Sequence, residues 1–276
     1  MNKLTTYERA RIISCLVEGC SMRSTVRMTG AAKKTVARLQ VEAGQACARY
    51  HDKVMRNLPC KIIQVDEVWT FTYSKQKNIP EHLKGMDGIG DTWTWIAIDA
   101  DSKLIPAWRV GKRGAEDAYW FIHDLKSRLA NRIQLTSDGH RAYLEAVEDA
   151  FGTEIDFAQL IKLYGSEPAQ GEARYSQPAC IGTRKRKVIG KPDKGFISTS
   201  YVERQNLTLR MNNRRFTRLT NAFSKKIENH RHALALHFMH YNFCRIHQTL
   251  RVTPAMEAGI SDHFWSLEEI AALLES

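Results

Sequence analysis

The hexapeptide IIQVDE at residues 62–67 is a short apolar run that ends in two acids. Its β-branched residues favour a strand, so Asp66 is expected at or near a strand end. The heptapeptide IQLTSDG at residues 133–139 repeats this arrangement and places Asp138 in front of a glycine. Both runs are therefore predicted to be strands that deliver an aspartate at or near their ends.

A third stretch, STSYVERQN at residues 198–206, follows a basic segment and is typical of the start of a helix that carries Glu203 inward. Two aspartates on strands and a later glutamate on a helix are the parts of a two-metal phosphoryl-transfer site. Mg²⁺ prefers such oxygen ligands and keeps several waters, so a few carboxylates suffice to hold it. The pattern predicts that Asp66, Asp138 and Glu203 meet at one edge of the sheet.

Each acid also has a structural interpretation. Asp66 with Glu67 is consistent with an exposed strand end, and Asp138 before Gly139 with a turn. Ser200 and Glu203 match a capping box, in which the glutamate bonds back to the start of its helix. Two rival strand-end acids are Asp99 and Asp101.

The next two turns of the same helix add two polar side chains to the face that carries Glu203. Asn206 and Arg210 stand three and seven residues further on, which places all three side chains on one side of a helix. An acid, an amide and a guanidinium in this order suit a metal, a nucleotide and a phosphate.

Composition points to a polyanionic partner. The 276 residues carry a formal net charge of +11, with a pI near 9.4, and 43% of them are hydrophobic, enough for a substantial core. Six scattered cysteines form no CxxC pair, which argues against a zinc ribbon and a disulfide framework. Met1 leads into a charged helix and no apolar run is long enough to span a bilayer, so we expect a soluble, intracellular protein without a signal peptide.

Residues 5–49 predict three short helices, and the third begins with a group of basic and polar residues. The order helix, short helix, glycine turn and basic helix is that of a helix-turn-helix, whose last helix enters the major groove of DNA. The alternative is a small helical bundle with a solvated basic face. The candidate DNA contacts on the third helix are Lys33, Lys34, Thr35 and Arg38.

Residues 50–60 are polar and basic and are interpreted as a linker, after which the pattern changes to strands. Strands are predicted at 62–71, 92–99, 104–110, 133–138 and 155–160, and helices at 115–129 and 141–151. This order predicts an α/β fold, a mixed five-stranded sheet flanked by helices and preceded by a small all-α domain.

The stretch 162–197 is loosely patterned and is expected to be a loop. Its basic run, Arg184-Lys185-Arg186-Lys187, suits either a solvated loop or a contact with a phosphate backbone. Residues 199–243 are predicted to be mostly helical, and 267–274 to form a short helix behind a Ser266 cap. None of the five histidines from His230 to His247 matches a His-Glu-x-x-His metal motif.

As a set, these residues resemble a DDE transposase of the insertion sequence 1 family. The resemblance covers nearly the whole chain and is carried by VDEVWTF at 65–71, TSDG at 136–139, YVERQNLTLR at 201–210, RLTNAFSKK at 218–226, YNFCRIH at 241–247 and TPA at 253–255. It implies a ribonuclease-H-like catalytic domain with Asp66, Asp138 and Glu203 as its catalytic and metal-binding triad, which decides against Asp99. Arg210 matches a basic residue on the same helix face, and Asn206 and His247 match auxiliary positions of unassigned role.

The resemblance implies a bacterial or archaeal enzyme that binds the inverted repeats of its own mobile element and performs DNA recombination by metal-dependent cleavage and strand transfer. Its cofactor would be two Mg²⁺ or Mn²⁺ ions, and its partners the double-stranded DNA of element ends and target. We expect a cytoplasmic, nucleoid-associated protein that works as a homodimer or larger assembly. The alternatives are a nuclease without strand transfer and an inactive DNA-binding protein.

The corresponding domain expectation has four parts. Residues 1–49 form the helix-turn-helix domain, 50–60 the linker, 61–258 the catalytic domain and 259–276 a C-terminal helix.

Overall fold

A computed structural model describes residues 4–165, 179–217 and 220–275. The helices in these residues are α1 (Thr6–Val17), α2 (Met22–Thr29), α3 (Lys33–Val54), α4 (Ala115–Arg128), α5 (Ala142–Phe151), α6 (Ser200–Asn212), α7 (Ile227–Met239), α8 (Pro254–Glu257) and α9 (Leu267–Ala272). The strands are β1 (Ile62–Thr72), β2 (Gly90–Asp99), β3 (Trp108–Gly111), β4 (Gln134–Ser137), β5 (Asp156–Tyr164) and β6 (Cys180–Ile189).

The strands form one mixed sheet in the order β3-β2-β1-β4-β5-β6. The central strand β1 is antiparallel to β2 and parallel to β4, and β5 is parallel to β4. Helices α4 and α5 pack together, and α6 packs against β1. The α/β class, with a mixed sheet flanked by helices and preceded by N-terminal helices, is therefore confirmed.

The sheet has six strands, and the expectation of five was wrong at its edge. The basic run 184–187 lies on β6, which pairs with β5 from Phe157↔Ile189 to Tyr164↔Cys180, instead of in a loop. Its charged side chains stay exposed because β6 is an edge strand, where lysine and arginine are tolerated and discourage pairing with another sheet. Residues 166–178 of the predicted loop 162–197 lie outside the described residues.

The three N-terminal helices occur where the sequence predicts them. Thr5 and Glu8 form a capping box at the start of α1, and Gly30 ends α2 with a positive φ of 72°. The expected linker, however, is helical at its beginning, because α3 continues to Val54. The buried side chains of His51 and Met55 hold this extension against the rest of the protein.

The N-terminal helices share a hydrophobic core with the sheet. Ile12 on α1, Leu39 on α3 and Ile63 on β1 belong to one buried cluster. Helix α3 also packs closely on α7, where a Cβ at Gly44 would lie 2.4 Å from the carbonyl oxygen of His232. The close approach of the two backbones explains why a glycine stands at this position.

Smaller differences concern the element ends. The third strand begins at Trp108 instead of residue 104, although the Leu104 and Ala107 carbonyls still accept hydrogen bonds from β2. The predicted cap of the last helix is confirmed, since Ser266 forms a capping box with Glu269. Throughout the described ranges, every helix is too short or too polar to cross a membrane.

Candidate active site

The separation of β1 from β4 brings Asp66 and Asp138 together. The parallel pairing of these strands ends at Gln64↔Thr136, and each aspartate lies two residues past that last pair. Beyond this pair the two strands are no longer hydrogen-bonded to each other, and both carboxylates line the same cleft. Backbone amides hold them there, since Asp66 Oδ1 accepts from Glu67 N at 2.9 Å and Asp138 Oδ1 from His140 N at 2.8 Å.

Helix α6 is fastened to the same strand by a cap that comes from outside the helix. The side-chain oxygen of Gln64 accepts hydrogen bonds from Tyr201 N at 2.8 Å and Val202 N at 3.2 Å. These amides belong to the first turn, which has no partners inside the helix. The alternative of a Ser200–Glu203 capping box is not observed: Thr199 is the N-cap residue, and Glu203 accepts a hydrogen bond from the Thr199 hydroxyl.

The three predicted acids line one open cleft of about 800 Å³. Asn206 and Arg210 line it as well, as expected from their position on the face of Glu203. The amide of Asn206 donates from Nδ2 to Asp66 Oδ2 at 2.8 Å and thereby joins α6 to the acid on β1.

A fourth acid, Glu67, completes a compact group with the two aspartates. One carboxylate oxygen from each of Asp66, Glu67 and Asp138 lies within 4.8 Å of the others. The alternative of an exposed strand end does not apply to Glu67, since the residue is only 7% exposed. We call these three residues the sheet acids; Glu203 is not a member of the group.

Burial and the repulsion of neighbouring carboxylates disfavour the charged forms of Asp66 and Glu67. Burial, reinforced by the nearby Asp138, raises the pKa of Asp66 to about 7. The same two causes raise the pKa of Glu67 to about 8. Without a cation the protein therefore keeps part of this group protonated near neutral pH.

Two cationic side chains face the acids. Arg113 donates from Nε to Glu67 Oε2 at 3.1 Å, and its Nη2 lies 3.6 Å from Asp138 Oδ2. On the other wall, Lys162 Nζ lies 2.6 Å from Glu203 Oε2. Glu203 also accepts a hydrogen bond from the hydroxyl of Thr199, so this acid has two partners of its own.

The arrangement suits a hard divalent cation. Close carboxylate oxygens in a partly water-accessible cleft are the ligands that Mg²⁺ and Mn²⁺ take. The buried oxygen Asn206 Oδ1 has no hydrogen-bond partner among the described residues, although the amide is oriented by Asp66. A cation ligand or a bound nucleotide would satisfy that oxygen.

The remaining predicted residues lie elsewhere. Lys33, Lys34 and Arg38 are exposed on the first turns of α3, where Arg38 pairs with Glu42 at 3.7 Å, and Thr35 is partly buried. The basic run Arg184-Lys185-Arg186-Lys187 lies on β6, next to the β5 residues that line the cleft. His247 is not among the residues that line the cleft; its Nδ1 is 3.0 Å from Thr249 Oγ1.

Sequence reasoning missed four residues of the site: Gln64, Glu67, Arg113 and Lys162. Strand alternation argued against Glu67, because consecutive strand residues point to opposite faces. Gln64 carried a usable signal, since a polar residue within a buried strand needs a partner, and it is only 1% exposed. For Arg113 and Lys162 we find no signal in the sequence that separates them from the other basic residues.

Comparison with known proteins finds similarity to solved structures over part of the chain. No protein-family model and no curated protein sequence matches the chain. Among solved structures it is similar to the "Mos1 transposase paired-end complex with left transposon end", at 13% identity and a TM-score of 0.24, over 57% of this chain and 60% of that one. The "Mos1 Strand Transfer Complex" is similar at 14% identity and a TM-score of 0.24, over 57% of this chain and 59% of that one. The chain thus covers about three fifths of the length of these solved chains, and its activity has to be argued from the site itself.

Proposed function

We propose that this protein is a DDE transposase of the insertion sequence 1 type, acting on the ends of its own mobile element by metal-dependent DNA cleavage and strand transfer. The observation that carries the proposal is the convergence of Asp66, Asp138 and Glu203, from three separate elements, on one cleft. Basic side chains line the same cleft, and the chain has a net charge of +11, which suits a phosphodiester substrate.

In the proposed site, Asp66 and Asp138 hold two Mg²⁺ or Mn²⁺ ions, and Glu203 completes the ligand set. Such ions, when bound, lower the pKa of the attacking hydroxyl group and neutralise charge on the phosphate. The protein contributes orientation, since Asn206 fixes the carboxylate of Asp66 through a 2.8 Å hydrogen bond. Arg210 and Lys162 line the cleft and would hold the phosphates of a DNA backbone bound there.

Sequence-specific recognition is assigned to residues 5–49. Helix α3 exposes Lys33, Lys34 and Arg38 at its N-terminal end, which is where a recognition helix meets base edges in the major groove. The exposed basic residues of β6 would hold the DNA backbone beside the cleft. Because two element ends have to be brought together for joining, we propose a homodimer or larger assembly on DNA.

The deciding experiment is a strand-transfer assay with element-end oligonucleotides and Mg²⁺ or Mn²⁺, comparing the wild type with Glu203→Gln. Glu257→Gln is a matched control, because Glu257 is an exposed glutamate on α8. We expect joining by the wild type and the control, and no joining by Glu203→Gln although it still binds the ends.

Two other outcomes would contradict the proposal in different ways. Cleavage without joining by the wild type would identify a nuclease that only hydrolyses DNA. Joining by Glu203→Gln at the wild-type rate would remove Glu203 from the site and leave it as a partner of Thr199 and Lys162.

A further inference from the structure

Arg113 is the cationic residue that contacts two of the sheet acids. Its guanidinium bridges two of the sheet acids, at 3.1 Å from Glu67 Oε2 and 3.6 Å from Asp138 Oδ2. It also lies over the ring of Trp93, 4.9 Å from the ring centre, a favourable place for a guanidinium. The Glu67 side chain is fully buried, whereas 40% of the Arg113 side chain is exposed. The arginine therefore closes the acid cluster from its solvent side.

The backbone beside Arg113 is fixed while its side chain has room to move. The preceding residue, Lys112, donates its N–H to Asp117 Oδ2 at 2.7 Å and accepts at its carbonyl from Trp95 Nε1 at 3.1 Å. The Arg113 side chain, in contrast, is 40% exposed, so solvent borders it on one side. The guanidinium can thus change partners by side-chain rotation alone, without displacing the loop between β3 and α4.

Arg113 and a divalent cation compete for the same carboxylates. Arg113 Nη2 already lies 3.6 Å from Asp138 Oδ2, so a cation held by Asp66 and Asp138 would be close to the guanidinium and would repel it. With such a cation bound, Asp138 and Glu67 would attract the arginine less strongly.

We propose that Arg113 is the built-in counter-ion of the sheet acids, and that an entering divalent cation releases its guanidinium to a phosphate of the DNA bound in the cleft. Arginine suits the second position because its planar fork binds phosphate with two parallel hydrogen bonds. Metal binding and DNA binding are then coupled through one side chain. The phosphate half of this inference rests on the proposed function, and the counter-ion half does not.

Lys162 provides an internal contrast. Among the described residues its ion pair is with Glu203, which is not one of the sheet acids; its charge also acts on Asp66, but the two form no ion pair. Its ammonium is a point charge, without the planar fork of an arginine. A cation entering between Asp66 and Asp138 does not require Lys162 to leave Glu203. We therefore assign the exchange to Arg113 alone.

The first test is calorimetric titration of the full chain with Mn²⁺, without DNA and above the raised pKa values of Asp66 and Glu67. Arg113→Gln should bind Mn²⁺ about tenfold more tightly or better, because the competing charge is gone. Arg113→Lys should stay near the wild type. Arg132→Gln is the matched control, since Arg132 pairs with Asp156 outside the cleft, and it should not change the affinity. Unchanged or weaker Mn²⁺ binding by a folded Arg113→Gln would overturn the inference.

A second measurement follows the wild type, and the conservative variant Arg113→Lys serves only to assign one resonance. The arginine Nε–H of Arg113, assigned by its absence from the spectrum of Arg113→Lys, should exchange slowly in metal-free protein, because Nε donates to buried Glu67. Saturating Mg²⁺ should shift this resonance and speed its exchange with solvent. An unchanged resonance under saturating Mg²⁺ would show that the arginine stays in place and would refute the release.

The DNA half is tested with Ca²⁺ as the probe ion and a duplex oligonucleotide. Ca²⁺ should raise the DNA affinity of the wild type about tenfold and leave that of Arg113→Gln nearly unchanged. Equal Ca²⁺ effects in both proteins would contradict the phosphate contact. If joining fails in the strand-transfer assay but Arg113→Gln still tightens Mn²⁺ binding, the counter-ion assignment stands and the transposase proposal falls. If the wild type joins DNA but Arg113→Gln binds Mn²⁺ with unchanged affinity, the transposase proposal stands and the counter-ion assignment falls.

Discussion

The acids of the cleft fall into two groups that the protein holds in different ways. The sheet acids come from β1 and the end of β4, where strand pairing fixes the backbone, and their oxygens lie within 4.8 Å of one another. Glu203 comes from α6, is 38% exposed in its side chain and is paired with Lys162 and Thr199. The first group is crowded and short of positive charge, whereas the second is satisfied as it stands.

The difference suggests that the two groups play different parts in metal binding: the sheet acids form a site in advance, and Glu203 completes it. Crowded carboxylates on a fixed sheet are costly without a cation and stabilising with one, because the ion removes their repulsion. An acid that already has a lysine and a hydroxyl as partners gains less. We therefore expect the sheet acids to dominate metal affinity, and Glu203 to matter mainly for the reaction.

The largest expected effect is on cleavage and on metal-dependent stability. Asp66→Asn or Asp138→Asn should reduce DNA cleavage about a thousandfold or more, and Glu203→Gln about a hundredfold.

Thermal denaturation should show a Mg²⁺-induced rise in Tm of about 5 °C for the wild type at saturation. The rise should vanish in the aspartate variants and remain in Glu203→Gln. Its loss in all three variants would erase the distinction between the two groups.

The next effect is a dependence of stability on pH in metal-free protein. The folded-state pKa values of about 7 for Asp66 and about 8 for Glu67 lie above the ordinary values of 3.8 and 4.5. Between those limits the folded state binds more protons than the unfolded state, so the free energy of unfolding falls as the pH rises from about 4 to about 8. Denaturation in EDTA should show Tm falling by about 5 °C more in the wild type than in Glu67→Gln. Equal slopes in the two proteins would contradict the crowding of the sheet acids.

Substitutions that only remove charge should change stability in opposite directions in the two groups. Glu67→Gln keeps an acceptor for Arg113 and removes a buried charge, so above pH 8 it should stabilise metal-free protein by about 1 kcal/mol. Glu203→Gln loses a partly exposed ion pair and should destabilise it by about 0.5 kcal/mol. Urea denaturation measures both, and the same sign for both variants would argue against the comparison.

The last effect concerns the hydroxyl that donates a hydrogen bond to Glu203. Thr199→Val keeps the shape of the side chain and removes the hydrogen bond to the carboxylate, which should cost about 1 kcal/mol of stability. Mn²⁺ affinity should not change, because Thr199 touches none of the sheet acids. A large loss of Mn²⁺ affinity would place Glu203 among the principal metal ligands and merge the two groups.

Most elements of the fold could be predicted because their signals are local. The apolar runs that end near Asp66 and Asp138 predict β1 and β4, and the caps at Thr5 and Ser266 predict the starts of α1 and α9. Strand β6 could not be predicted in this way. Its run of basic residues lacks apolar alternation, and the strand forms because backbone hydrogen bonds to β5 do not depend on side-chain type.

The sequence by itself determined which acids are available and which elements deliver them, because strand and helix periodicity place Asp66, Asp138 and Glu203 without knowledge of the rest of the chain. Only the tertiary structure decided what surrounds them. The β1–β4 pairing ends before Asp66, and there an oxygen of Glu67 lies within 4.8 Å of one of Asp66, although strand alternation predicts that the two side chains point apart. Gln64 caps α6, and Arg113 reaches Glu67 from 46 residues away in the chain. Such contacts depend on how strands diverge and helices dock, which no local pattern of residue types encodes.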